Sequence, residues 1–206
     1  MTDEKKLIES VLAGDPEAFS DLMAIHEKQV YNLCLRMTGH PEDAQDLAQE
    51  AFIKAWRGLR FYKFESSFST WLYRLTSNVC IDFLRQQKRR ATGSLTVTDE
   101  EGEETELEIV DPAPLPEQQA SDREDQAQIA EALNQLEVEF RLALTLRVVD
   151  DLSYEQIGEV LDLKPGTVKS RIARARTKLK KILLQNGNFF EENSSNSSER
   201  GLHREM

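Results

Sequence analysis

The spacing of the apolar residues constrains the fold of this chain more than any other feature. From about Leu7 to Arg90, and again from about Arg123 to Gln185, apolar residues recur at intervals of three and four. This period places them along one face of an α-helix, whereas a half-buried strand would show strict alternation. The sequence therefore predicts an all-α protein with two small helical domains.

The segment between the two helical stretches has a different character. Between Asp99 and Asp111 there are eight acidic residues and no basic one, and three of the six prolines follow shortly afterwards. A segment of this composition cannot bury an apolar core. We therefore predict a flexible acidic linker at 91–122. We also expect the final residues, 186–206, which are rich in Asn, Ser and Glu, to be disordered.

The composition excludes several classes of protein. The chain has 39% hydrophobic and 31% charged residues, which is typical of a soluble helical protein. It contains no run approaching the roughly 18 apolar residues needed to span a membrane. Its first ten residues have no apolar centre of the kind found in signal peptides. We therefore expect a cytoplasmic protein that does not insert into a membrane.

Residues that commonly carry out chemistry are sparse. The three histidines have no metal-ligand or triad spacing, and no glycine-rich phosphate loop is present. Cys34 and Cys80 form no CxxC pair and lie in apolar helical patterns, which favours buried reduced thiols over a disulfide or a metal site. The sequence therefore predicts no enzymatic activity, no cofactor and no metal.

The net charge of −11 conceals a basic module near the carboxyl terminus. From Lys164 to Lys181 there are eight basic residues and no acidic one. For binding to nucleic acid, the local distribution of charge matters more than the sum. The net charge is therefore compatible with a DNA partner.

The basic module has the pattern of a helix-turn-helix. Ser153 and Gln156 have the spacing of a capping box, and the Asp-Leu-Lys-Pro-Gly run at 162–166 interrupts the helix a few residues later. A second helix is predicted to begin near Thr167, with an apolar inner face and small outer residues such as Ser170. This arrangement matches a reader of the DNA major groove. The alternative is a basic surface helix that binds nothing.

The helix predicted from the run DAQDLAQEAFIKAW has a mixed outer face. Its charged and polar side chains, Asp46, Gln49, Glu50 and Arg57, surround Ile53. An apolar residue within a charged face indicates a partner surface. A singly exposed isoleucine is also common, and on the residues alone the two interpretations are equal.

An aromatic and basic loop follows at Arg60 to Ser69. Rings interleaved with cations are typical of surfaces that hold single-stranded nucleic acid, because bases stack on rings while cations follow the backbone. The alternative is that the rings fill the core, and we favour this for Phe68 and Trp71. On the next predicted helix, Asn78 can read a base edge as both donor and acceptor.

Together these motifs resemble the sigma-70 family of bacterial RNA polymerase sigma factors. The run YEQIGEVLDLKPGTVKSRIARARTKL is similar to the fourth conserved domain, which binds the −35 promoter element. The run DAQDLAQEAFIKAW resembles the segment that docks on the coiled coil of the largest polymerase subunit. The run RFYKFESSFSTWLYRLTSNVCIDFLRQQKRR resembles the second conserved domain, which melts and reads the −10 element. No third helical domain lies between them, which indicates the extracytoplasmic-function group.

The resemblance implies a division of the chain. Residues 7–90 correspond to sigma domain two, 91–122 to the acidic linker, 123–185 to sigma domain four with its helix-turn-helix, and 186–206 to a tail without assigned function. The implied partners are core RNA polymerase, through the coiled coil of its largest subunit and the flap region of its second-largest subunit, and promoter DNA. An anti-sigma factor, often associated with the membrane, is a further implied partner. The linker would occupy polymerase channels near the active site and the RNA exit.

The resemblance also implies three sets of site residues. The set for core polymerase binding is Asp46, Gln49, Glu50 and Ile53. The set for the −10 element is Lys63, Phe64, Ser66, Ser67, Arg74, Asn78, Arg85, Arg89 and Arg90. The set for the −35 element is Thr167, Lys169, Ser170, Arg171, Ala173, Arg174 and Arg176.

Three other classes of protein fit this sequence less well than a sigma factor does. An enzyme is disfavoured by the absence of catalytic motifs. A stand-alone repressor or activator could use the same helix-turn-helix, but it would need a sensor or dimerisation domain in place of the acidic helix and aromatic loop. A protein-only adaptor is disfavoured by the basic helix.

Overall fold

The computed structural model describes residues 3–93 and 128–185, and all regular structure within these residues is helical. The predicted all-α fold is therefore confirmed. The linker residues 94–122 and the tail at 186–206 lie outside the described residues.

The first unit contains four α-helices and a short 3₁₀ turn. These elements are α1 (Asp3–Leu12), α2 (Glu17–Thr38), α3 (Pro41–Gly58), the turn Leu59–Phe61 and α4 (Phe68–Gly93). Helix α4 continues three residues past Arg90, where the sequence predicted the linker to begin.

The second unit contains the other four helices. These are α5 (residues 128–134), α6 (Val138–Val148), α7 (Tyr154–Leu161) and α8 (Pro165–Gln185).

Helices α2 and α3 pack closely because the turn between them is short. Gly39 adopts a left-handed conformation (φ 79°), and its N–H donates to the carbonyl of Leu35 at 2.8 Å. Glycine takes this conformation without a steric penalty, and so it ends the helix. Pro41 then occupies the first turn of α3, where its missing N–H costs nothing. A glycine followed two residues later by a proline is a pattern that predicts a helix break from sequence, and α2 and α3 are divided there.

Helix α1 begins four residues before Leu7, where the sequence predicted the first unit to start. Its inner face buries Ile8 against the core. Glu4 lies 2.7 Å from the Nε2 atom of His26 on α2. The charged residues around Asp3 weakened the apolar period, so the first turn of this helix could not be recognised from periodicity.

The helix-turn-helix forms as its local sequence predicts. The N–H of Gln156 donates to the Ser153 hydroxyl at 3.2 Å, and the N–H of Ser153 donates to the Gln156 side chain at 2.8 Å. This reciprocal pair confirms the capping box. Helix α8 begins at Pro165 rather than near Thr167, because the fixed φ of proline suits the first helical turn.

The two units pack against each other and share one continuous core. Helix α4 contacts α6 and α7, and α2 contacts α6. The guanidinium of Arg141, which is only 6% exposed, donates to the Met37 carbonyl at 2.6 Å and to the Asn134 side chain at 3.1 Å. A buried cation of the second unit is therefore held by the end of a helix in the first.

Candidate nucleic-acid and partner interfaces

The outer face of α8 is exposed and basic. Its inner face buries Val168, Ile172 and Ala175, which fixes the opposite side toward solvent. The outward residues are those predicted for duplex DNA, namely Thr167, Lys169, Ser170, Ala173, Arg174 and Arg176. Small residues between the cations leave room for a groove wall to approach the helix.

Arg171 has a different environment from the rest of its predicted set. Its side chain is half-buried, and its Nη2 atom lies 3.7 Å from a carboxylate oxygen of Glu139 on α6. Arg171 also lines the cleft that separates α8 from α4 of the first unit, away from the outer strip of α8. Helical periodicity placed it near the edge of that strip, but the ion pair depends on a neighbouring helix that periodicity does not reveal.

The loop between the 3₁₀ turn and α4 carries four residues predicted to bind an unpaired base. These residues are Lys63, Phe64, Ser66 and Ser67. Phe64 has a left-handed backbone (φ 58°) and a side chain that is 44% exposed. The Ser67 hydroxyl accepts the N–H of Thr70 at 3.1 Å and so caps the start of α4. The loop therefore has a defined shape with an aromatic ring on its outer side.

A cluster of aromatic rings supports this loop from below. Phe68 and Trp71 lie 5.5 Å apart between ring centroids, and Tyr62 lies 5.8 Å from Phe68 and 5.3 Å from Trp71. Phe68 is buried and Trp71 is half-buried, as predicted for core residues.

The polar stripe on α4 forms one wall of a cleft between the units, of about 280 Å³. Arg74, Asn78, Ile81 and Arg85 line this wall. The opposite wall consists of second-unit residues, namely Glu139, Leu142, Val160, Leu161, Asp162, Leu163 and Arg171. Glu139 lies 4.0 Å from Arg85 and 3.7 Å from Arg171 in this cleft. The stripe predicted to read −10 DNA therefore faces the second unit.

The end of α4 carries a second basic surface that adjoins the cleft at Arg85. Arg85, Lys88 and Arg89 surround a shallow depression together with Asp82, and Arg90 is exposed beside them. Clustered cations on one helix end are suited to contact the phosphates of duplex DNA.

The outer face of α3 borders a large apolar groove. The predicted docking residues Asp46, Gln49, Glu50 and Ile53 are all exposed, and Ile53 and Gln49 line a groove of about 1160 Å³ between α2 and α3. Its apolar residues include Phe19, Met23 and Trp56.

Trp56 belongs to this groove, although it follows the buried Phe52 by four residues, a spacing that predicts an inward position. Its ring meets that of Phe19 edge-on at 4.8 Å, and the residue remains exposed at the rim. Tryptophan is too large to be buried completely beside the small alanines of α3. The spacing identified the correct helix face but not the depth of this side chain.

An acidic group lies where the two units meet. Burial raises the pKa of Asp150 from its ordinary value of 3.8 to about 6, although the hydroxyl of Tyr73 and the charge of Arg36 act in the opposite direction. Burial and this carboxyl also raise the pKa of Tyr73. Burial lowers the pKa of Arg141, whose Nη1 atom donates to the Met37 carbonyl and to the Asn134 side chain.

The cysteines are free and buried, as predicted, on α2 and α4. The Sγ atoms of Cys34 and Cys80 lie 3.8 Å apart, a proximity that their sequence separation did not reveal. The hydrogen bond to Cys34 and burial raise the pKa of the Cys80 thiol. Among the residues at 3–93 and 128–185, no group of three His, Cys, Asp or Glu side chains could hold a metal ion. None of the helices described in this structure is long and apolar enough to cross a membrane.

Two family models match this chain. Residues 22–90 match the model described as Sigma-70 region 2, and residues 126–179 match the model described as Sigma-70, region 4. The first match contains the aromatic loop and the α3 face, and the second contains the helix-turn-helix.

Several characterised proteins are similar over most of their length. The ECF RNA polymerase sigma factor SigW of Bacillus subtilis is 38% identical over 179 residues, which is 87% of this chain and 96% of that protein. The RNA polymerase sigma-H factor of Pseudomonas aeruginosa is 38% identical over 181 residues, or 87% of this chain and 93% of that protein. The ECF RNA polymerase sigma-E factor of Escherichia coli is also 38% identical, covering 85% and 91% respectively.

Solved structures share the fold. The sigma factor RpoE of Bartonella quintana, in a co-crystal with the anti-sigma factor NepR, has a TM-score of 0.60 and 24% identity, covering 80% of this chain and 96% of that chain. CnrH, in complex with the cytosolic domain of CnrY, has a TM-score of 0.64 and 22% identity, covering 89% and 99%.

Proposed function

Because this chain belongs to the sigma-70 family of RNA polymerase sigma factors, in its extracytoplasmic-function group, we propose how its surfaces divide the work of promoter recognition. The chain recognises promoters and directs RNA polymerase to initiate transcription there. Its own surfaces supply binding and strand capture, while polymerase carries out the catalysis.

The α3 face docks on core polymerase. Ile53 and the neighbouring Gln49 stand at the border of an apolar groove, and Asp46 and Glu50 provide charge around it. An apolar centre with a polar rim is the usual composition of a protein interface. In this proposal the coiled coil of the largest subunit packs on this face, and the second unit contacts the flap region of the second-largest subunit.

The α8 face binds the −35 duplex. Lys169 and Arg174 flank the small residues Ser170 and Ala173, so cations reach phosphates or guanine edges while the helix lies in the groove. Arg171 pairs with Glu139 and lines the cleft between the units, so it contributes only if the units separate.

The loop and α4 bind the opened −10 strand. Phe64 presents a ring for stacking, and Lys63 adds a cation beside it, a combination suited to a single strand. Asn78 is exposed on the adjoining stripe and has both donor and acceptor capacity. The basic end of α4, with Arg89 and Arg90, contacts the upstream duplex.

One observation carries this assignment of surfaces. The exposed basic face of α8 and the exposed aromatic loop belong to the same chain, on two separate helical units. A stand-alone repressor needs only the former. Promoter opening requires two binding surfaces of different chemistry, one for duplex DNA and one for single-stranded DNA.

We further propose a cytoplasmic location and regulation by an anti-sigma factor. The Bartonella quintana sigma factor with this fold was crystallised with such a partner, and the apolar groove beside α3 gives this chain a surface on which a partner can bury apolar side chains.

The test is in-vitro transcription from genomic DNA by core polymerase with and without the full chain. The added protein is expected to produce initiation at a limited set of promoters. The variant Lys169→Ala with Arg174→Ala is expected to lose −35 binding while polymerase binding is kept. Initiation without promoter preference would contradict the proposed function.

A further inference from the structure

The loop before α4 has a backbone conformation that its sequence does not favour. Phe64 lies in the left-handed region with φ 58°, where bulky side chains are rarely found. Such a conformation costs free energy and persists only when neighbouring contacts hold it. The shape of the loop therefore depends on the contacts that hold Phe64 in this conformation.

Tyr62 makes the contact that closes this loop. Its hydroxyl donates to the Ser66 carbonyl at 2.6 Å. This bond connects the residue two positions before Phe64 with the residue two positions after it. The Tyr62 ring also lies 4.7 Å from the Phe64 ring, between centroids. Burial and the charge of Glu4 raise the pKa of Tyr62, which keeps the hydroxyl protonated and able to donate.

Helix α1 supports Tyr62 and Phe64 from the other side. The ammonium of Lys5 lies 5.7 Å from the Phe64 ring centroid. Glu4 binds His26, whose ring lies 5.3 Å from that of Phe68 in the cluster beneath Tyr62. The base of the loop is therefore fixed, and the Tyr62 hydroxyl is the contact that reaches its far end.

We infer that Tyr62 is a positioning residue for base selection: its hydroxyl, through the Ser66 carbonyl, holds Phe64 in the shape that receives an unpaired base of the −10 strand. This inference rests on the proposed function of the loop. Tyr62 itself is buried and does not touch DNA; it acts through the two residues that line the loop.

The hydroxyl can be removed without disturbing the core. In Tyr62→Phe the ring keeps its places against Phe68 and Trp71, while the Ser66 carbonyl loses its donor. Ser66 is only half-buried, so water can satisfy the carbonyl. The loop is then free to relax around Phe64, and base selection weakens while the fold is kept.

The experiment uses holoenzyme formed from core polymerase and the full chain. Promoter templates with a randomised −10 element are transcribed, and the selected templates are sequenced. Tyr62→Phe is expected to lower the preference for the selected base at one −10 position by about fivefold, as expected for one lost hydrogen bond. Tyr154→Phe, which removes a hydroxyl from α7, is the matched control.

A second substitution separates positioning from mere stabilisation. Glycine adopts positive φ without strain. In a Phe64→Gly background the loop therefore no longer depends on the hydrogen bond from Tyr62 to Ser66. Tyr62→Phe is then expected to change base selection less than in the wild type, a coupling that a double-mutant cycle measures. Thermal unfolding of every variant reports on the fold.

Three results would overturn the inference. One is an unchanged −10 preference in Tyr62→Phe while the wild type selects promoters. A second is a lowered unfolding temperature with loss of −35 and −10 selection together, which indicates a structural role only. A third is additivity of the two substitutions. If the wild-type protein selects no promoter sequence at all, the proposed function fails and the inference fails with it.

Discussion

Two isoleucines of similar exposure, Ile53 and Ile25, differ in their surroundings. Ile53 on α3 is 50% exposed and Ile25 on α2 is 53% exposed. Only Ile53 lines the apolar groove, where Trp56 and Met23 are its neighbours. Exposure alone therefore does not identify a partner surface, whereas continuity with other apolar atoms does.

Ile53→Asp is accordingly expected to weaken binding to core polymerase about tenfold or more, because it places a charge at the centre of an interface. Fluorescence titration of labelled protein with core polymerase measures this. Ile25→Asp is the matched control, and its affinity should remain at the wild-type value. Equal losses in both variants would show that the docking surface is assigned wrongly.

Residue positions were predicted from sequence where the causes are local. The capping box at Ser153 and the exposure of Ile53 follow from contacts within a few positions of the chain. The left-handed Phe64 and the inward position of Arg171 were not predicted. Phe64 depends on the bond from Tyr62 to Ser66 and on Lys5 of α1, and Arg171 pairs with Glu139 of α6. Helical periodicity contains no information about such contacts.

At the scale of elements, the turn between α7 and α8 depends on one glycine. A Cβ atom at Gly158 would lie 2.6 Å from the Leu163 carbonyl oxygen. The N–H of Leu163 also donates to the Gly158 carbonyl at 2.9 Å. The close approach of the backbone leaves no room for a side chain. The angle between the two helices, and hence the presentation of α8 to DNA, depends on this approach.

Gly158→Ala is expected to destabilise the protein by about 2 kcal/mol, since the backbone has to shift to relieve the overlap. It should also weaken −35 duplex binding more than polymerase binding. Gly166→Ala, where a Cβ meets nothing within 4 Å, is the control and should be neutral or slightly stabilising. Chemical denaturation and duplex titration measure the two effects. A neutral Gly158→Ala would contradict the tight turn.

Element boundaries were predicted well where turn chemistry marks them, as at Gly39 and Pro41. The start of α1 was missed because its first turn is charged. The depth of the α2–α3 groove could not be predicted. It depends on the distance between the two helices, whereas the sequence pattern identifies only which face of each helix is apolar.

At the scale of the whole molecule, the packing of the two units bears on how the chain binds a promoter. The stripe with Arg74 and Asn78 faces the second unit across the cleft. A DNA strand on this stripe needs the space that α6 and α7 occupy. Separation of the units is therefore expected to accompany promoter binding, and the sequence did not predict that they pack together.

The packing of the units is expected to depend on pH through Asp150. Its pKa is about 6 where the units meet and 3.8 when solvated, so the packed arrangement binds the proton more tightly. The packed arrangement is therefore most stable at a pH below 3.8, the pKa of the solvated carboxyl. This stabilisation is lost as the pH rises through about 6, the pKa in the packed arrangement. Tyr73 and Arg36 face the same carboxyl and limit the size of the effect.

Fluorescence energy transfer between dyes on α3 and α8 is expected to decrease as the pH is raised from about 5 to about 7.5. Asp150→Asn should remove this dependence and keep the units packed at both values. Asp151→Asn, whose carboxyl is 93% exposed, should behave as the wild type does. An equal pH response in all three proteins would show that another group controls the packing.

The Arg141 contact also has a consequence for the order of events during synthesis. Met37, whose carbonyl accepts this hydrogen bond, precedes Arg141 by 104 positions. The first unit therefore leaves the ribosome well before Arg141 does. Domains generally fold as they emerge. A nascent chain thus displays the α4 stripe with Arg74 and Asn78, without the second unit that later covers it, for as long as the ribosome takes to reach α6. A partner that recognises the stripe in a free first unit has its best opportunity during translation, before the chain is complete.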